Sequence, residues 1–420
     1  MDIDAQHVTR GAGSGQPLGP GGLPRIRAVH ASTPTGRPRT ARPYAGPGSV
    51  VEANARFRQL VADGATDLSV AFDLPSRAGH DSDAPIAAGE VGRTGIAVDS
   101  IDDMRVLLGG LPLAEVSTSL RLGAPGAAPF LLLCQLVGEE QGVAADRLTG
   151  AIRSDVLEEC VTRGTHLFPP GPSRRLLADT FRYCAAEVPR WDAVSVSGRA
   201  LADAGASPAQ ELAFTLATGI EYVRAAVAAG IDVTDFAPRL SFLFAEPAAL
   251  AEERAKYRAA HRIWARVMHE EFGARDPGAL LPRLGIGTAG APADELETAA
   301  LDLLGEVERH GGAAGAAARG FQEREIGRHA HRTGRVDEGG PYEAARIDPA
   351  IEARQAERLC KLRALRDSSR TGDALVRLQE AAGGTANVLH PMKEALAAYA
   401  TVGEVCAALR EVWGTSAPAV

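Results

Sequence analysis

Short apolar runs alternate with amphipathic helical stretches from Gly48 onward, and that alternation leaves few folds open. The strand-like runs are Leu68–Phe72, Gly95–Val98, Val116–Leu122, Thr149–Ile152, Ala193–Ser197 and Arg239–Phe244. Between them, Gln210–Ala229 spaces Leu212, Leu216, Ile220, Val223 and Val227 by three or four, one face of a helix, and Gly230 stops it. Leu250–Glu271 repeats the pattern with Tyr257, Ala260, Trp264 and Val267. Strands separated by helices run parallel, and a series this long predicts an α/β fold, a TIM-type (β/α) barrel. Six strands precede Gly273 and Leu280–Gly287 offers a seventh, where a closed barrel needs about eight, so an incomplete or distorted barrel is expected. Beyond it Asp294–His310, Ile351–Ser368 and Val402–Trp413 read as helices of a C-terminal appendage. The expected division is a disordered start and extended arm at 1–47, the barrel at 48–290 and the helical region at 291–420.

Charge and composition narrow the function. A net charge of −8 speaks against nucleic-acid binding. The longest apolar run, Ala127–Leu133, is too short to span a membrane and reads as core. The N-terminus shows no basic-then-apolar leader. Cys134, Cys160, Cys184, Cys360 and Cys406 are scattered, as expected of reduced thiols in a cytoplasmic protein. His329 and His331 fall in a charged stretch read as a solvated loop rather than a ligand pair. Gly285–Gly290 matches GxGxxG but lacks the βαβ context of a dinucleotide site, so it reads as a junction loop.

The polar groups expected near strand ends are mostly arginine. Val70–Asp83 leaves a strand through Asp73, Arg77, His80 and Asp81; Arg121, Arg153, Asp155, Arg163, Arg199, Arg239 and Ser241 follow near later strands. A mouth rich in guanidinium groups suits an anionic ligand carrying phosphates or carboxylates. The competing reading is that several pair with Glu158, Glu159 or Asp203 and only fix loops. Pro24–Tyr44, with five arginines and four prolines, reads as an extended basic arm, either a strap over a phosphate-bearing ligand or a solvated tail.

Several longer stretches carry a resemblance. They are RPYAG (Arg42–Gly46), LSVAFDL followed by GHDSD, GIAVDSIDDM (Gly95–Met104), EEQGV (Glu139–Val143), RGTHLFPPGPS (Arg163–Ser173), SVSG (Ser195–Gly198), GIEYVRAAVAAGIDV (Gly219–Val233) and DFAPRLSF (Asp235–Phe242). On these the chain resembles the large, substrate-binding chain of the methylmalonyl-CoA mutase family from about Pro20 to Leu280. HGG (His310–Gly312) and TVGEV (Thr401–Val405) resemble its helical belt. The resemblance implies a (β/α) barrel threaded along its axis by coenzyme A and an arm wrapping the CoA. It also implies a separate domain or subunit bringing adenosylcobalamin. Carried over by position, Tyr44 lies over the substrate and Arg163 pairs with the carboxylate of a malonyl-type acyl group. Arg37, Arg190, Arg239 and Ser241 contact the CoA.

The departures from the pattern matter equally. Arg199-Ala200 stands where the family has Tyr-His, whose histidine holds the thioester carbonyl. Arg153 replaces a glutamine near the substrate and His30 a tyrosine of the arm. The THSQTSG and LHTN loops and any DxHxxG motif are absent. Three readings follow. The first is a protein that binds a malonyl- or methylmalonyl-type thioester and acts without cobalamin, by decarboxylation, epimerisation or isomerisation. There Arg153, Arg163 and Arg199 would steady an anionic transition state, with His80 or His166 carrying a proton. The second is an adenosylcobalamin-dependent mutase large chain served by a separate small subunit. The third is a non-catalytic scaffold. There missing strands leave open edges that need cover, so a homodimer or heteromer is expected.

Overall fold

The computed structural model describes residues 44–45, 48–122, 127–152, 168–245, 250–284, 294–333 and 350–415. Every strand pair in it is parallel. β1 (Tyr44–Ala45), β2 (Asp67–Ala71), β3 (Ser117–Arg121), β4 (Gly150–Ile152) and β5 (Trp191–Asp192) form one sheet in that order. β6 (Ser195–Ser197), β7 (Ser241–Leu243) and β8 (Arg283–Leu284) form a second. Only Ala193 and Val194 separate β5 from β6, so the single run expected at Ala193–Ser197 is a broken strand carrying the arc from one sheet into the other.

Gly95–Val98 departs from expectation. It contributes no strand, only bridges from Ile96 to Gly48 and Phe72. Gly95 passes so close to the end of β2 that a Cβ there would lie 2.4 Å from the Phe72 carbonyl carbon. The chain then turns at once into the helix Ile101–Leu108, capped by Ser100 and Asp103. His329 and His331 are also placed differently: they ride on the helix Phe321–Thr333, not in a loop. GIGTAG lies outside the described residues.

Alternation along the strands decides which side chains meet the helices. Leu68, Val70, Leu120, Ile152 and Trp191 join one apolar core with the helices Val50–Ala62, Ile101–Leu108, Ala127–Glu140 and Pro170–Glu187. The Ala127–Leu133 run is the start of the third of these, buried almost all round. Val196 and Phe242 join a second core with the helices Pro208–Ala228, Leu250–Glu270 and Asp294–Arg309. The helices Ser368–Gly383, Leu389–Ala397 and Val402–Trp413 return to the first core. Among the described residues no helix is long and apolar enough to cross a membrane.

A buried polar seam ties that return to the barrel. Asp81 accepts from Thr401 Oγ1 at 2.6 Å, the Gly403 amide at 2.7 Å and Arg363 at 2.8 Å. Gln355 donates to both Asp99 and Asp103 at 2.8 Å, and Arg358 pairs with Asp103 at 2.8 Å. Burial, then the neighbouring Asp103 and Asp81, holds the Asp99 carboxyl well above its ordinary 3.8. A carboxyl whose folded value exceeds its unfolded one stabilises the fold fully below the unfolded value, and that contribution is lost as pH rises through the folded value. Asparagine at 99 escapes the loss. The unfolding midpoint of Asp99→Asn relative to wild type should therefore be more favourable at about pH 8 than at about pH 4. Calorimetry at both pH values checks this; a pH-independent difference would contradict it.

Candidate active site

The face of the strands turned away from the helices is lined by small polar side chains. Register aligns Tyr44, Ser69, Ser119, Ala151 and Asp192 in one row, and Ser117 sits two residues before Ser119. In the second sheet Ser195 aligns with Ser241 and Ser197 with Leu243. Each of these serines alternates along its strand with a side chain of an apolar core: Ser69 with Leu68 and Val70, Ser119 with Leu120, Ser195 and Ser197 with Val196, and Ser241 with Phe242. Ser195 Oγ and Ser241 Oγ share a hydrogen bond of 2.7 Å across β6 and β7. Barrel interiors are ordinarily filled by Val, Ile and Leu. Serines in their place are shorter and would offer hydroxyls to a polar chain lying along the axis. The spacing i, i+2 in Ser117/Ser119 and Ser195/Ser197 was visible in the sequence, but only the register turns it into a lining.

The cations divide between the two ends of the strands. Arg190 is exposed immediately before β5, and Arg239 is half-buried just before β7, whose first residue is Ser241. These three therefore stand at the N-terminal ends of their strands, although Arg239 and Ser241 read from sequence as strand-end groups of the mouth. Arg239 makes no hydrogen bond or ion pair with a described residue; with Cys184, Trp191 and Asp235 it borders a small cavity. Burial pushes the Cys184 thiol up to about 12. At the opposite ends stand Arg121, closing β3, and Arg199, immediately after Gly198 at the end of β6. Arg199 is two-thirds exposed, opens the short helix Arg199–Asp203 and lies 3.8 Å from Asp203 at that helix's other end. At about 3.3 Å per residue, the three-residue strands β6 and β7 alone separate their two ends by about 10 Å.

Tyr44 enters through its backbone, paired with Ser69. Arg37, Arg153, Arg163 and His166 lie outside the described residues. The Asp73–Asp83 loop is engaged with other parts of the fold. Asp73 caps the helix Leu74–Arg77 and accepts from the Gly92 amide at 2.7 Å, while Asp81 belongs to the seam with the C-terminal helices. His80 is half-buried near Arg410; burial, then that guanidinium, lowers its pKa below the ordinary histidine value.

The described histidines do not gather at a strand end. His310 stacks on Phe321 at 4.4 Å, and His390 lies 5.0 Å from Tyr183. Among the described residues no three His, Cys, Asp or Glu side chains group to hold a metal ion. A cleft of about 610 Å³ opens elsewhere, between the helix Ile101–Leu108 and the helices Ala350–Leu365 and Ser368–Gly383. No strand residue lines it, and its Arg358 and Arg366 are committed to Asp103 and Glu404.

Comparison with known proteins agrees with this architecture. The family model described as methylmalonyl-CoA mutase matches residues 4–293 and 292–415. The methylmalonyl-CoA mutase of Cereibacter sphaeroides is 35% identical over 94% of this chain and 69% of its own length. The methylmalonyl-CoA mutase large subunit of Propionibacterium freudenreichii subsp. shermanii is 32% identical over 93% of this chain and 67% of its own. The Escherichia coli methylmalonyl-CoA mutase is 43% identical over 64% of this chain but only 38% of its own length. A parallel α/β barrel arc with a serine-lined axial face and matches of this extent leave one assignment: the chain belongs to the methylmalonyl-CoA mutase family.

Proposed function

We propose that this chain is the substrate-binding part of an acyl-CoA mutase, holding a CoA thioester along the barrel axis for isomerisation. The observation that carries the reading is the serine lining of the axial face between two separated sets of arginines. A CoA ester has matching polarity: phosphates at one end, a polar pantetheine chain, and the acyl group at the other. Arg190 and Arg239 would meet the phosphate end with charge-assisted hydrogen bonds. Tyr44 and Arg163, by their family positions, and Arg199, by its place after β6, would meet the acyl end. A carboxylate there needs a fixed cation once water is excluded, which favours a methylmalonyl-type substrate.

Adenosylcobalamin, brought by a separate cobalamin-binding domain or subunit, would supply the radical chemistry of the family. The chain's own work is to bind, orient and shield the thioester. The relatives' shared name favours isomerisation over cobalamin-free decarboxylation or epimerisation.

Calorimetry with CoA, isobutyryl-CoA and methylmalonyl-CoA tests binding. Isomerisation of methylmalonyl-CoA after adding a cobalamin-binding subunit and adenosylcobalamin tests activity. Absence of affinity for every CoA ester would defeat the proposal. Removing a cation at the N-terminal rim separates the two ends: Arg239→Ala should weaken CoA and methylmalonyl-CoA alike, by about tenfold. Selective loss of only the acyl ester would place Arg239 at the wrong end.

A further inference from the structure

A buried ion pair at the C-terminal ends of β6 and β7 takes part in nothing described so far. Lys256 Nζ lies 2.5 Å from Glu211 Oε2, and the two side chains are 3% and 2% exposed. Both also grip Ala245, two residues beyond β7. The Ala245 amide donates to Glu211 Oε1 at 2.6 Å, and Lys256 Nζ donates to the Ala245 carbonyl at 3.3 Å. On the β6 side, Gly198 is pressed against the same helix. A Cβ at Gly198 would lie 2.4 Å from Thr215 Oγ1 and 2.9 Å from Glu211 Cγ. The Gly198 amide donates to the Leu243 carbonyl at 2.7 Å, binding the two strand ends together. One cluster thus fixes the exits of both strands, and Arg199 is the next residue along.

Stability alone does not account for such a pair. Taking two charges out of water costs several kcal/mol per ion, and well-packed apolar replacements are often neutral or stabilising. What the charges add here is direction: one carboxylate and one ammonium hold the N–H and the C=O of a single loop residue.

We propose that Glu211 and Lys256 are positioning residues that set the loops leaving β6 and β7, and so fix Arg199 at the acyl end of the axis. The inference rests on the reading that a CoA thioester lies along that axis. The test uses the full chain carrying Glu211→Leu and Lys256→Met together. Its thermal midpoint should equal or exceed that of wild type, whereas the Ala245 and Gly198 amides should exchange with solvent at least about tenfold faster. Affinity for methylmalonyl-CoA should fall about tenfold while that for CoA itself holds, because the phosphate end is remote. Unchanged amide exchange together with unchanged methylmalonyl-CoA affinity would reduce the pair to core filling and overturn the proposal. If the double variant does not fold, wild type decides: an Ala245 amide exchanging at unprotected rates would overturn it. If wild type binds no CoA ester the functional reading falls, and the exchange measurements still report whether the clamp exists.

Discussion

Leucine in place of Ser69 is expected to abolish acyl-CoA binding while leaving the protein folded. Ser69 lies within the axial row, register-paired with Tyr44 on one side and Ser119 on the other, and it is buried. A branched side chain is the ordinary filling of a barrel interior, so the fold should survive it with a lowered melting midpoint, Ser69 being already buried. The added methylenes would occupy the path of the ligand, and overpacking of that kind costs about 1–3 kcal/mol even where neighbours adjust. A rigid sheet adjusts little, so the affinity for CoA and for methylmalonyl-CoA should fall together by about a hundredfold or more. Ser69→Ala is the control, keeping the space and removing the hydroxyl; it should lose no more than about 1 kcal/mol of binding. Titration calorimetry of both variants, beside their melting curves, reads the outcome. Wild-type affinity in the leucine variant would mean that the ligand does not use the axis.

The sequence announced the strands well where they were apolar on one side and poorly where they were short. Leu68–Phe72 and Val116–Leu122 carry alternating apolar side chains that find the helical core, and both are strands within a residue or two. Tyr44–Ala45 is too short to show a period and is held by its partner β2, which only the fold supplies. Gly95–Val98 has strand composition, yet the close approach of Gly95 to Phe72 and the cap at Ser100 leave no length for a ladder. The candidate site was legible in its chemistry more than in its placement. The arginines were evident, but their sorting to opposite strand ends depends on where each strand begins. Glu211 and Lys256 escaped notice because they are 45 residues apart on two helices that look amphipathic. Nothing local marks a buried pair. The aspartates of GHDSD and GIAVDSIDDM look from sequence like site or family markers, whereas in the fold Asp81, Asp99 and Asp103 hold the C-terminal helices.

That last point carries the second large expectation. Asp81→Ala should cost about 3–5 kcal/mol of stability, because removing one member of a buried charged cluster strands its partners. The Thr401 hydroxyl, the Gly403 amide and the Arg363 guanidinium each lose an acceptor at 2.6 to 2.8 Å, and Thr401 and Gly403 form the N-terminus of the helix Val402–Trp413. Asp83 and Glu404 remain beside Arg363, so the damage is concentrated on the helix start rather than on the arginine. A Cβ at Gly403 would stand 2.5 Å from the Asp81 carboxyl carbon. Gly403→Ala must therefore push the same contact apart, and it should destabilise in the same direction by a smaller amount. Denaturant unfolding gives the size. Limited proteolysis gives the place, with early cleavage expected near Thr401 rather than in the second core around Trp264. A loss under about 1 kcal/mol for Asp81→Ala would show that the seam is a surface contact with little hold on the barrel. A loss in the expected range would mean that the loop leaving β2 keeps its shape only while the C-terminal helices are docked. In that case truncations that remove residues beyond 400 should melt the barrel's first half and leave the second core comparatively protected.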